Sequence, residues 1–135
     1  MAVKRFLLDT STCIALLRGN QKVRIKCMEH EKECCISTIT VIELLYGAYH
    51  APMQYRTQEL TKARLLINHY DKLGIDSIPD LFCREKLRLE KAGMIVEDFD
   101  LMIGITGVVS GLTVVTHNRN HFDRIEGLNT EDWTL

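Results

Sequence analysis

Three short apolar runs, Phe6-Leu7-Leu8, "CCIS" at 34–37 and "LTVVT" at 112–116, stop abruptly on polar residues. Long stretches of helical periodicity separate them. This alternation constrains the fold more than any other feature of the chain. Runs this short are strands, and their lack of polar alternation marks strands covered on both faces. The intervening segments are too long for hairpins and long enough for helical crossovers, so the strands run parallel. The pattern predicts an α/β fold, a parallel sheet with helices on both faces, in a single domain over residues 1–135.

Along the chain, a strand is expected at 4–8 and a helix at 11–18, closed by Gly19-Asn20. A polar-faced helix at 21–32 follows, then the strand at 34–37. "VIELLYGAYH" (41–50) has apolar residues on most faces, as a largely buried helix does. Pro52 suits the start of a new helix over 53–72, with Leu60, Ala63, Leu66, Ile67 and Tyr70 at helical spacing. "GIDSI" (74–78) reads as a strand and 80–92 as a charged helix. A buried helix at 99–110, the strand at 112–116, a polar turn "HNRNHF" and a last strand near 128–130 complete the reading.

Bulk composition excludes several classes. Apolar content of 46% and charged content of 26% are those of a folded globular chain. The net charge of −1 provides no global attraction to nucleic acid, so any such attraction must be local. The five cysteines, Cys13, Cys27, Cys34, Cys35 and Cys83, form no CxxC pair and read as free thiols, mostly buried, in a reducing cytosol. "RFLLDTSTC" breaks too early to be a signal peptide. "LMIGITGVVSGLTVV" (101–115) falls short of the roughly 20 residues a bilayer requires. A cytoplasmic protein with no membrane contact is expected.

In open parallel sheets, ligands bind beyond the carboxyl ends of the strands. Asp9 follows the first strand, Glu43 lies early in the helix after "CCIS", Asp98 and Asp100 open the buried helix, and His117 and Asn118 follow "LTVVT". Each has a plainer reading. Asp9, Asp98 or Asp100 could cap a helix, although Thr10 and Ser11 could relieve Asp9 of that task. Thr40-x-x-Glu43 matches a capping box. Together, however, carboxylates gathered on one edge repel one another and call for a cation. Oxygen ligands without dedicated His or Cys suit Mg²⁺ or Mn²⁺.

The segments "LLDTS", "ISTITVIELLYG", "DFDLMIG" and "GLTVVTHNRNHFDRI", in this order and spacing, resemble the PIN domain, and specifically the VapC-type toxin ribonucleases. The resemblance runs from Arg5 to Trp133. It implies a three-layer α/β/α sandwich and a metal-dependent endoribonuclease. Asp9, Glu43 and Asp100 match the family's first three acidic positions and are the implied metal ligands. Asn118 stands where many members have a fourth acid, so the site carries one negative charge fewer and should hold a second metal more weakly. The resemblance also implies a VapB-like antitoxin and a homodimer. Tyr46, Tyr49, Met53 and Tyr55 have the character of interface residues.

An RNA substrate requires cations near the site. Arg119 flanks the Asn118 loop, and Arg84 and Arg88, with Lys91, share a face of the 80–92 helix. A second cluster comprises Lys22, Arg24 and Lys26. His117 and His121 have zinc-like spacing, but no Glu lies between them, and surface or RNA-contacting histidines are the better reading. Gly104, Gly107 and Gly111 are expected to let the buried helix approach the sheet. A receiver-type phosphotransfer domain is excluded by the lack of an acidic pair at Asp9-Thr10 and of any Lys in 127–135. A non-catalytic PIN-like binding module is the remaining alternative.

Overall fold

The computed structural model describes residues 3–135. Its strands are β1 (Phe6–Leu8), β2 (Cys34–Ser37), β3 (Asp71–Leu73), β4 (Thr113–Val115) and β5 (Thr130–Glu131). Its helices are α1 (Thr10–Leu17), α2 (Gln21–Glu29), α3 (Thr38–Tyr49), α4 (Met53–His69), α5 (Pro79–Lys91), α6 (Asp98–Ser110) and α7 (Arg119–Phe122). The strands form one sheet in the order β3-β2-β1-β4-β5, and every pairing is parallel.

The side-chain alternation of β1 divides the core. Phe6 and Leu8 face a cluster with Cys13, Val23, Leu44, Leu66 and Trp133, while Leu7 faces one with Leu89, Leu101, Ile103, Ile105 and Phe122. Helices α1–α4 cover the first face and α5–α7 the second, giving the expected three layers. Leu8 is level with both Ile36 and Val115, so the residues that follow, Asp9, Ser37 and Thr116, stand in a row at the carboxyl edge. All three are buried.

Two glycines of α6 permit the close packing anticipated for them. A Cβ on Gly104 would run into Ile125, and one on Gly107 would lie 2.8 Å from a Val114 methyl. Gly111 serves differently: at φ 67° it ends the helix in the left-handed region, with open space around it.

The edges of the sheet depart from expectation. The third strand is Asp71–Leu73, not 74–78, and α4 stops at His69. An edge strand is paired on one side only, so the exposed Asp71 and Lys72 carry no hydrophobic signature, and charges there deter edge-to-edge association. Ile75 and Ile78 instead pack under the loop that leads into α5. The last strand is two residues at 130–131, and part of the expected polar turn is the short helix α7. Helix α3 begins at Thr38 because Ser37 caps it, its hydroxyl accepting from the Ile39 amide at 3.0 Å. Nor is α3 buried all round: Ile42, Tyr46 and Tyr49 are exposed, as are Met53 and Tyr55 beyond it. Cys13, Cys27, Cys34 and Cys35 are buried free thiols, whereas Cys83 is exposed. Among the described residues, no helix is long and apolar enough to cross a membrane.

Candidate active site

Asp9 caps α1 itself, contrary to the expectation that Thr10 and Ser11 would relieve it. Its Oδ1 accepts from the Thr12 amide and the Ser11 hydroxyl, both at 2.8 Å. A carboxylate has about four acceptor sites, so capping leaves part of this one open. Ser11 and Thr12 then stitch α1 to β4: the His117 amide donates to Ser11 Oγ at 3.1 Å and Thr12 Oγ1 donates to the Val115 carbonyl at 2.8 Å. Burial pushes the Asp9 carboxyl above its ordinary range, and hydrogen bonds from Thr116, Thr12 and Ser11 oppose that push.

Glu43 lies in the second turn of α3, one turn past the cap at Ser37, so it closes no capping box. Its Oε1 accepts from Thr10 Oγ1 at 2.6 Å. Thr10 Oγ1 also lies 3.1 Å from Thr40 Oγ1. Thr10 has one hydroxyl proton, and the carboxylate takes it, so Thr40 donates to Thr10. A hydroxyl chain, Thr40 to Thr10 to Glu43, thus fixes one carboxylate oxygen and leaves the other unbound by it.

Asp100 occupies the first turn of α6, which is capped at Glu97 without a side-chain hydrogen bond. Asp98 is turned outward to Lys86, 2.8 Å away, and neither caps the helix nor joins the edge. Burial first, then the negative charges of Glu43 and Asp9, push the Asp100 carboxyl up to about 6, with His121 opposing. The charges of Glu43 and Asp9 thus reach Asp100. Among the described residues, no group of three or more His, Cys, Asp or Glu side chains is closed into a metal cage. The three acids face a common edge without meeting at a point. Their all-oxygen donor set and unrelieved repulsion fit a hard divalent cation.

Asn118 sits where α7 begins, its amide donating to Thr116 Oγ1 at 2.8 Å and its side chain free of any capping bond. It lines a small polar cleft with His117, Arg119, Asn120, His121 and Asp132. Arg119 is exposed, its Nε donating to Thr130 Oγ1 at 3.1 Å. Arg84 is exposed on α5. Arg88 requires correction as a phosphate ligand. Its guanidinium makes two 2.7 Å bonds to the buried Glu85 and a third, at 2.8 Å, to the Arg124 carbonyl. Arg124 in turn donates to the Ile95 carbonyl at 2.7 Å. His117 turns to Asp132 and Thr134, and the pair His117–His121 joins no metal-like cluster.

Sequence reasoning missed the roles of Thr10, Thr40 and Ser11, and the contact between His117 and Asp132. The three hydroxyl residues directly after Asp9 and the Thr40-x-x-Glu43 spacing were the available signal, but the same pattern describes helix caps.

The family model of the PIN domain matches residues 6–128. A Shigella flexneri protein named tRNA(fMet)-specific endonuclease VapC is 32% identical over 132 residues, covering 96% of this chain and 98% of that protein. Among solved structures, DNA-bound VapBC from Salmonella typhimurium has a chain 31% identical, with a TM-score of 0.89 over 97% of this chain and 99% of that one. VapBC-1 from nontypeable Haemophilus influenzae has one 26% identical, with a TM-score of 0.81 over 96% and 98%. The parallel sheet, the acids at its carboxyl edge and these full-length similarities agree, and the chain belongs to the PIN domain family.

Proposed function

We propose that this chain is a metal-dependent endoribonuclease and the toxin of a VapBC-like toxin–antitoxin pair. The observation that carries this reading is the gathering of Asp9, Glu43 and Asp100, where Asp100 is pushed up to about 6 by burial and by the other two acids. The full-length similarity to the Shigella endonuclease VapC supports it. Asp9 and Asp100 are the direct ligands of Mg²⁺ or Mn²⁺. Such an ion acidifies water and holds a phosphate oxygen. Glu43, held through Thr10, orients the attacking water with its second oxygen. Asn118 contributes a neutral amide at the fourth position. Arg119 and Arg84 meet the RNA backbone, while Arg88 braces the fold. Attack by water leaves 5′-phosphate and 3′-hydroxyl ends.

The partners on this reading are an RNA substrate, a VapB-like antitoxin and a second copy of the chain. The exposed Tyr46, Tyr49, Met53 and Tyr55 offer apolar contact area. The buried free thiols suit a reducing, cytoplasmic setting. The test is cleavage of RNA, beginning with initiator tRNA, by purified protein with Mg²⁺ or Mn²⁺ and after chelation. Cleavage is expected only with metal, and Asp9→Asn is expected to abolish it while keeping the native circular dichroism. Full activity in that variant overturns the site. A wild-type protein that binds RNA and cuts none with either metal returns the chain to the non-catalytic reading.

A further inference from the structure

We propose that the groove between α1, α3 and α4 is a subsite for a nucleobase of the RNA strand beside the bond being cut, with Gly47 as its floor and Tyr55 as its stacking surface. This rests on the ribonuclease reading above, and Glu43 of that reading forms one end of the groove. Ile14, Leu17 and Arg18 line it from α1, Gly47 from α3 and Tyr55 from α4. Its volume is about 600 Å³, within the range of clefts that enclose a small organic ligand.

Gly47 carries the argument. It lies in the interior of α3, where a glycine costs helix stability relative to alanine. Gly104 and Gly107 of α6 offset the same cost by packing, since a Cβ on either would strike a neighbour. A Cβ on Gly47 would meet nothing within 4 Å, and its backbone is not in the left-handed region. Neither the packing of this chain nor its backbone geometry requires a glycine there. A flat ligand laid against the helix backbone does.

Position and charge assign the occupant. On the ribonuclease reading Glu43 orients the water that attacks the phosphate, so the nucleoside next to that phosphate passes this end of the groove. Helix α1 leads from its cap at Asp9 to Arg18, roughly 13 Å by helical rise. Arg18 is exposed, and no carboxylate pairs with it among the described residues. The other charges of the rim, Glu59 and Lys62, lie 3.6 Å apart and offset each other. The groove thus leads from the metal-binding acids to an unpaired cation, an order that suits a strand with phosphates at both ends. Between them, Tyr55 is exposed and stacks with no other aromatic ring among the described residues. Every base has a π-face that such a ring can take.

The test measures the binding of labelled oligoadenylate, oligouridylate and an abasic ribose-phosphate strand of equal length to the Asp100→Asn protein, which binds without cutting. Tyr55→Leu and Gly47→Ala in that background are each expected to raise Kd about fivefold for the base-bearing strands and to leave the abasic strand unaffected. Tyr55→Phe keeps the ring and should recover most of the loss. Gly47→Ala is expected to raise Tm by a few degrees while it weakens binding, because α3 gains a better helix former. Unchanged Kd for the base-bearing strands overturns the subsite and gives the groove to a protein partner, a second copy of the chain if light scattering shows a changed mass. An equal loss on the abasic strand also overturns it, since the contact is then with phosphate alone. So does a lowered Tm for Gly47→Ala with Tyr55→Leu binding as tightly as its parent, which would return Gly47 to the fold. Each of these results, with RNA cut by the wild type and not by Asp9→Asn, leaves the ribonuclease reading standing. A wild-type protein that cuts no RNA overturns both.

Discussion

Two groups of carboxylates in this molecule meet opposite fates. On α5, buried Glu85 receives two bonds from Arg88 and a third from the Glu126 amide at 2.7 Å. The guanidinium holds its carboxyl below the ordinary range despite burial. At the carboxyl edge, Asp9 accepts from a hydroxyl and an amide and Glu43 from a hydroxyl, and no salt bridge joins Asp9, Glu43 or Asp100 to a Lys, Arg or His among the described residues. Asp100 is pushed up to about 6. The first group is electrostatically complete and ties α5 to the 124–126 turn. The second has no basic partner among the described residues, and on the proposed reading a divalent cation completes it. Glu85 thus serves the fold, whereas the unpaired edge acids have the perturbed electrostatics on which the proposed chemistry rests.

The sharpest break in this contrast is Asp100→Asn. Cleavage is expected to fall by about a hundredfold or more, while the metal-free protein gains stability at pH 7.5. The sign follows from linkage. The folded carboxyl binds its proton more tightly than the unfolded one, so its contribution is fully present below about pH 4 and is lost as pH rises through about 6. Thermal melts of both proteins are expected to differ by a few degrees at pH 7.5 and to converge near pH 4. In the metal-free protein Asp100 holds its proton until about pH 6, so Mg²⁺ affinity is expected to weaken as pH falls through that value, where proton and metal compete for the carboxylate. Equal melts at pH 7.5 would remove the repulsion from the account.

Arg88→Ala tests the other group. It leaves Glu85 buried without its guanidinium, and Tm is expected to drop by about 5 °C, with activity per folded molecule near wild type at low temperature. Loss of RNA affinity without loss of Tm would restore Arg88 to the binding surface. Thr10→Val has a smaller effect. It removes the proton that holds Glu43, and kcat is expected to fall about tenfold with KM nearly unchanged. Thr10→Ser should recover most of the loss, and adding Thr10→Val to Glu43→Gln should cost little more, because Thr10 acts through Glu43. The smallest effect is that of Arg119→Gln. It should reduce the slope of log Kd for RNA against log salt by about 0.7, the contribution of one single-strand phosphate contact.

Much of this was legible because it rests on local pattern. The central strands announced themselves as apolar runs, and each ended on the polar residue that the edge requires. Asp9, Glu43 and Asp100 stood out as candidates because each lies just past a strand or early in a helix. The third strand could not be located, since Asp71 and Lys72 carry no hydrophobic pattern and are a strand only through pairing, whereas the last strand lies within a residue or two of its expected place. Arg88 misled because a cation on a solvated helix face and one committed to a buried acid look alike in sequence. The reading of α3 as largely buried failed for a related reason: Ile42, Tyr46 and Tyr49 are apolar, yet the described residues leave them exposed.

The sequence by itself determined the alternation of strand and helix, the parallel direction that follows from it, and which residues stand at the strand ends. Tertiary structure decided how those residues meet. Thr10 reaches Glu43 across 33 residues, and Ser11 reaches His117 across 106. Such contacts depend on strand register and helix packing, which no local periodicity encodes. The level ends of β1, β2 and β4 place Asp9, Ser37 and Thr116 in one row, and the packing of α3 and α1 brings Glu43 to Thr10 beside Asp9, while Arg88 and Arg124 are drawn to other partners.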